Sequence, residues 1–201
     1  MSSSTSYELI YFNVIGLGET SRIILTYGDA DWKETNPEWP AFKPNTPFGR
    51  LPVLIERKEG HEDLVISESE VIERYLSRKF GLLSSDPEVA VKQEQIRAQY
   101  SDARTLWIET EFTKHENLRP RFDEEVALLV SKHEEILEKN GNNGHYFGNE
   151  LTYPDIAAYV ILNGFKEYGY DSEITEEKAP RLNKLLKVVG EQVKAIKAKR
   201  Q

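Results

Sequence analysis

Leu64–Leu76 reads LVISESEVIERYL, and it changes character halfway. Leu64–Ser67 is a short, mostly aliphatic run of strand length. From Val71 onward the apolar residues Val71, Ile72, Tyr75 and Leu76 recur at helical spacing. A strand that feeds a helix this directly points to an α/β unit. Between the two lie Ser67, Glu68, Ser69 and Glu70. Ser67 and Glu70 have the spacing of a capping box, in which each side chain satisfies a backbone N–H that the first helical turn orphans. Glu68 and Ser69 are left without a structural task. They lie in a first turn whose N–H groups and dipole favour an anionic guest, so this stretch leaves both a cap and a ligand site open.

Upstream, ELIYFN (8–13) alternates, with Leu9 and Tyr11 on one face and Ile10 and Phe12 on the other. GETSRIILTYGDA (18–30) predicts a helix, and DWKETN (31–36) a short extended piece. After a proline-rich loop, LPVLIER (51–57) is strand-like and GHED (60–63) turns the chain into the opening stretch. The order β-α-β, then β-β-α, predicts a small α/β domain with a partly parallel sheet over residues 1–81. GLLSSDPE (81–88) reads as a linker.

Strand signals vanish over 88–201. Charged segments of helical period run from Val89 to about Leu118, Arg121 to about Lys139, Tyr153 to Tyr168 and Arg181 to about Lys197, and predict an all-α bundle. Pro120 and NGNNGHYFGNE (140–150) punctuate them. In LTYPDIAAY (151–159), Thr152 fits an N-cap, Pro154 the first turn and Asp155 the N3 position of a capping box. The apolar run that follows predicts the core helix of this half, so Asp155 reads as structural. KAIKAKR (194–200) reads as a solvated helix end that complements its dipole.

The chain has 201 residues, 39% hydrophobic and 30% charged, as expected of an ordinary globular protein. Its formal net charge of −8 argues against a nucleic-acid backbone or an anionic membrane as partner. No stretch reaches the length of a membrane-spanning helix. MSSSTSY (1–7) lacks the features of a signal peptide and reads as a loose arm. There is no cysteine, which excludes disulfides, thiolate metal sites and a protein thiol as nucleophile. Any sulfur chemistry therefore uses a ligand's sulfur, and a thioredoxin-type oxidoreductase is ruled out. His61, His115, His133 and His145 show no paired metal-ligand spacing and read as surface or capping residues.

Five stretches carry a family resemblance: YELIYFNVIGLGETSRIIL (7–25), PEWPAFK (37–43), FGRLPVL (48–54), ISESEVIERYL (66–76) and YFGNELTYPDIAAY (146–159). In that order and at those intervals the chain resembles the cytosolic glutathione transferases, closest to their tyrosine-type, sigma-like branch. The resemblance implies a thioredoxin-like N-terminal domain that binds glutathione, an all-helical C-terminal domain, a cytoplasmic location and a homodimer. Glutathione is then a co-substrate, with no metal or other cofactor. Tyr11 matches the tyrosine whose hydroxyl points at the glutathione sulfur. Glu68 and Ser69 match the pair that holds the γ-glutamyl end, and Trp39 and Lys43 the pair that meets the glycyl end. Leu51 and Pro52 match a leucine and cis-proline whose backbone pairs with the cysteinyl part. Asp102 matches a carboxylate that reaches the partner subunit's glutathione; from the residues alone it could equally be an exposed helical aspartate.

Two positions depart from the family pattern. Leu17 stands where many relatives have arginine, and Arg50 where many have glutamine. Leu17 should make the electrophile pocket more apolar, together with Leu106, Trp107 and the C-terminal helix. Arg50 is suited to the glycyl carboxylate. The resemblance thus implies a transferase that joins the glutathione thiolate to an apolar electrophile lodged between the two domains. The alternative is a non-catalytic, ligandin-like binding protein, and Tyr11 favours the enzyme. Should Tyr11 serve only packing, Asn13 or the Gly16–Gly18 loop would have to activate the sulfur.

Overall fold

The alternation around Leu9 builds the middle of a sheet. In the computed structural model, which describes residues 5–113 and 118–199, β1 runs Thr5–Ile10. Thr5–Tyr7, expected in a loose arm, is thus its first half. A 3₁₀ turn at Gly16–Gly18 leads into α1 (Glu19–Tyr27), which returns the chain to β2 (Asp31–Thr35). β3 (Val53–Lys58) and β4 (Leu64–Ser67) form a hairpin that runs directly into α2 (Ser69–Lys79). The strand order is β2-β1-β3-β4, with β1 parallel to β2, antiparallel to β3, and β3 antiparallel to β4. This mixed sheet is the thioredoxin-like arrangement.

Because β1 is central, its second part is buried on both faces. Tyr7, Glu8, Leu9 and Ile10 are all buried in succession, so simple alternation understates β1. Glu8 tolerates this because its carboxylate accepts a 2.6 Å hydrogen bond from Thr35 and pairs with Arg57 at 2.8 Å. Leu9, Ile23, Ile24, Leu25, Leu54, Ile72 and Leu76 fill the core beneath the helices. Their burial supplies most of the drive to fold, at roughly 1.5–3 kcal/mol per large aliphatic side chain.

The described residues fall into two compact units: one reaches Leu82 and also takes in the residues from Ile196, and the other spans Leu83–Ala195. The second unit is helical: α3 (Pro87–Thr113), α4 (Leu118–Lys139), α5 (Tyr153–Glu167) and most of α6 (Pro180–Ala198). Pro120 does not separate helices as expected. It lies inside α4. The capping box of α5 forms as the spacing predicts: the Thr152 N–H donates to Asp155 Oδ2 at 2.8 Å. The other carboxylate oxygen of the fully buried Asp155 accepts from the Tyr146 N–H at 2.9 Å. Asp155 thereby ties the preceding loop to the core helix. Ile156, Ala157, Ala158, Ile161, Leu162 and Phe165 make α5 buried on nearly every side.

Two histidines depart from the surface-or-capping expectation, and His115 lies outside the described residues. His145 is buried 3.4 Å from Asp155. His133 is fully buried, with Nε2 bonded to Gln99 Oε1 at 2.9 Å and Nδ1 to Tyr146 Oη at 2.5 Å. Tyr146 in turn meets Tyr100 Oη at 2.6 Å. The Gln99 oxygen can only accept, so Nε2 carries the proton and Nδ1 accepts from Tyr146. The chain of bonds is complete with a neutral imidazole. Polar partners far away in sequence make the burial of His133 tolerable.

Candidate functional site

One edge of the sheet gathers the chemistry. Thr35, Ile10, Val53 and Ser67 form a single row across β2, β1, β3 and β4. One step beyond that row lie Tyr11, Pro52 and Glu68. Neighbouring strands are about 4.8 Å apart, so the Tyr11, Pro52 and Glu68 backbones span roughly 10 Å.

Tyr11 lies just past β1, and its N–H donates to Thr35 O at 3.1 Å. The ring is buried against the Gly16–Gly18 turn. A Cβ on Gly16 would stand 2.5 Å from the Tyr11 hydroxyl, and one on Gly18 2.6 Å from its ring, so both glycines are required by contact. The turn passes close enough for the Leu17 N–H to donate to Tyr11 Oη at 2.8 Å. With one lone pair so occupied, the hydroxyl keeps its own proton for a further acceptor. Leu17 is half-buried, and the preceding Val14 and Ile15 are exposed, giving this loop an apolar rim.

Arg22 on α1 backs the same loop. Its guanidinium donates to the carbonyls of Phe12 (2.9 Å), Val14 (2.7 Å) and Ile15 (3.2 Å), and pairs with Glu34 and Glu19. Cζ stands 5.6 Å from the Tyr11 ring centroid. Burial works against its charge, but the hydrogen bond and charge of Glu34, aided by Glu19, outweigh it, and the Arg22 pKa is raised. Sequence reasoning misses this residue. Its only local signal is the i,i+3 spacing from Glu19, which looks like an ordinary surface helix pair.

Beyond β2, Trp39 is half-buried and packs edge-on against Phe12, with centroids 5.8 Å apart. Lys43 is exposed in a 3₁₀ turn at Lys43–Asn45, and Gly49, at φ +68°, lets the chain pass beside the lysine stem. Arg50 is exposed next to it. The Leu51–Pro52 peptide is cis, as is Trp39–Pro40. The ladder begins at Val53, so Leu51 lies outside it.

At the head of α2 the expected capping box is absent. The helix begins at Ser69, with Glu68 as its N-cap and no side chain bonded there. Glu68 adopts φ +71°, ψ 117°, a conformation that costs a non-glycine residue about 1–3 kcal/mol. That kink leaves Ser67 in β4, one residue too early to cap, and its Oγ is buried without a hydrogen-bond partner. Glu68 is exposed and Ser69 half-buried at the helix N-terminus.

The first unit thus brings Tyr11, Leu17, Leu51, Pro52, Glu68 and Ser69 to one sheet edge, with Trp39, Lys43 and Arg50 on the connection from β2 to β3. The remaining candidates belong to the helical unit. Asp102 is exposed on α3. Leu106 is buried. Trp107 packs edge-on against Phe165 and Tyr168, at 5.7 and 5.2 Å between centroids. Among the described residues, no group of three or more acidic, histidine or cysteine side chains is placed to hold a metal.

Comparison with known proteins gives the family. The family model for the glutathione S-transferase N-terminal domain matches residues 7–78, and that for the C-terminal domain matches residues 101–198. "Glutathione S-transferase 2" of Manduca sexta is 31% identical over 192 residues, covering 89% of this chain and 88% of its own. "Glutathione S-transferase 1" of Ascaris suum is 32% identical over 165 residues, 75% of each chain. The solved structure of a Caenorhabditis elegans glutathione S-transferase superposes with a TM-score of 0.82 at 26% identity, covering 98% of this chain and 99% of that one. The two matched domains, the thioredoxin-like sheet and the relatives' identities lead to one conclusion: the chain belongs to the glutathione S-transferase family, and it is a glutathione transferase with glutathione as co-substrate.

Proposed function

We propose that glutathione lies extended along the sheet edge, with Tyr11 as the catalytic residue that donates a hydrogen bond to its sulfur. Three extended residues span about 10 Å, which matches the distance from Tyr11 across Pro52 to the head of α2. The N–H groups at that helix end and the Ser69 hydroxyl suit the γ-glutamyl carboxylate, while Glu68 suits the ammonium beside it. The Leu51 backbone, outside the ladder, pairs with the cysteinyl residue as an added strand does. Trp39, Lys43 and Arg50 meet the glycyl end, the two cations supplying charge to its carboxylate.

The Leu17 N–H bond to Tyr11 Oη carries this reading. It aims the phenolic proton outward, and a donor into the oxygen strengthens the hydroxyl as a donor in turn. A free thiol has a pKa of about 8.5, so little thiolate exists near neutrality. A charge-assisted hydrogen bond of roughly 1.5–3 kcal/mol lowers that pKa by about one to two units. The thiolate then attacks an electrophile whose apolar character is supported by the exposed Val14 and Ile15 and the half-buried Leu17 of the first unit. Tyr11→Phe keeps the ring and removes the donor. It should cut turnover by about tenfold to a hundredfold, leave glutathione affinity nearly unchanged, and raise the bound-thiol pKa toward its free value. Thiolate absorbance titrated against pH in both proteins tests it; equal bound-thiol pKa values would reduce Tyr11 to a packing residue.

The chain works as a cytoplasmic homodimer in this proposal, with Asp102 near the partner's glutathione. Asp102 is exposed on α3, and in the first unit Phe48 is 69% accessible, so each is open to a partner chain. Among the described residues no helix is long and apolar enough to cross a membrane.

A further inference from the structure

The loop that brings Leu17 to the Tyr11 hydroxyl has little of its own to hold it. Asn13, Val14, Ile15 and Gly16 are exposed, and Gly16 sits at φ +38°. The backbone bond described within it is the tight Val14 N–H to Phe12 O contact at 2.8 Å. Against this, one side chain reaches three of its carbonyls. Arg22 has only 12% of its side chain exposed, and its five N–H groups are shared among Phe12 O, Val14 O, Ile15 O and the carboxylates of Glu19 and Glu34.

The carboxylates fix where the fork points. Glu34, on edge strand β2, takes Nε and Nη2; Glu19 takes Nη1 from the head of α1. Glu19 is itself paired with Lys197, so the two carboxylates around Arg22 are offset by two cations. The arginine thus spans from β2 to the loop and crosses the face of Tyr11. Phe12 follows Tyr11 directly, and Ile15 lies two residues before Leu17. Bracing both carbonyls sets how the loop turns back and where the Leu17 N–H arrives.

We infer that Arg22 is a positioning residue for the thiolate chemistry: its guanidinium braces the 12–15 loop so that the Leu17 N–H stays on the Tyr11 hydroxyl and the phenolic proton faces the sulfur. This rests on the role proposed for Tyr11. The bracing depends on the planar fork, which reaches several acceptors at once; a lysine keeps the charge but presents one point donor.

The test uses Arg22→Lys, the conservative variant, in two measurements. The first is native-state hydrogen exchange of the Leu17 amide without glutathione. Exchange there should rise at least tenfold while the core amides of Leu9 and Leu54 keep wild-type protection. The second is the pKa of bound glutathione by thiolate absorbance. It should rise in Arg22→Lys, yet Arg22→Lys should add nothing in a Tyr11→Phe background, since the effect passes through that hydroxyl. Unchanged Leu17 exchange would overturn the bracing. Raised exchange with a wild-type thiol pKa, while Tyr11→Phe does raise it, would overturn its catalytic relevance. If Tyr11→Phe itself leaves the thiol pKa unmoved, the role of Tyr11 fails and the catalytic part of this inference with it, and the exchange result still decides the bracing. Should Arg22→Lys fail to fold, Glu34→Ala releases the fork from β2 and should raise Leu17 exchange severalfold; wild-type exchange there would overturn the bracing equally.

Discussion

Acid should weaken the helical unit through His133. Burial pushes its pKa down to about 4, from 6.5 for an unperturbed imidazole. As pH falls below 6.5 the unfolded chain takes up a proton at this histidine and the folded chain does not. Stability therefore drops progressively from pH 6.5 to about 4 and then levels off. At about 1.4 kcal/mol per pH unit the full loss is about 3 kcal/mol, and at pH 4.5 most of it has already occurred. His133→Gln removes the titration and retains an amide able to reach Gln99 or Tyr146. Urea unfolding of both proteins from pH 7.5 to 4.5 isolates the effect, because every other ionisable group is common to both. The variant starts less stable, since it strands part of the Tyr100–Tyr146 network, but its disadvantage should shrink by about 2 to 3 kcal/mol across that range. Two stability curves that stay parallel would refute the burial argument. So would an imidazole resonance titrating near 6.5 in the folded protein.

Ser69→Ala should weaken glutathione binding by about 1–3 kcal/mol, the usual cost of stranding a charged partner, with little change in stability, because Ser69 caps nothing. Titration calorimetry showing wild-type affinity would remove Ser69 from the site. Light scattering at micromolar concentration should return twice the 23.2 kDa chain mass; the monomer mass would end both the dimer and the role of Asp102. A dimer whose Asp102→Ala variant binds glutathione normally would end only the latter.

Periodicity makes the strand and helix order legible, and the strand ends then bring Tyr11, Pro52 and Glu68 side by side through register alone. What escapes the sequence is mostly backbone conformation and distant partners. A glutamate carries no local mark of φ +71°, so the head of α2 falls one residue later than capping chemistry places it. His133 looks like a surface residue until Tyr146 and Gln99, 13 and 34 positions away, are brought onto its two nitrogens. Arg22 is harder still, because three of its acceptors are main-chain carbonyls that no side-chain pattern announces.

The backbone of Glu68 sets two selections against each other at one codon. A glycine relaxes at φ +71° where glutamate is strained, so Glu68→Gly should raise the melting temperature by the equivalent of about 1 kcal/mol. It would also delete the carboxylate proposed to face the glutathione ammonium. Laboratory evolution for heat tolerance alone should drift toward that substitution, while evolution under limiting glutathione should purge it. Sequencing the survivors of the two regimes reads out, at this single position, how much stability the molecule forgoes to keep its ligand.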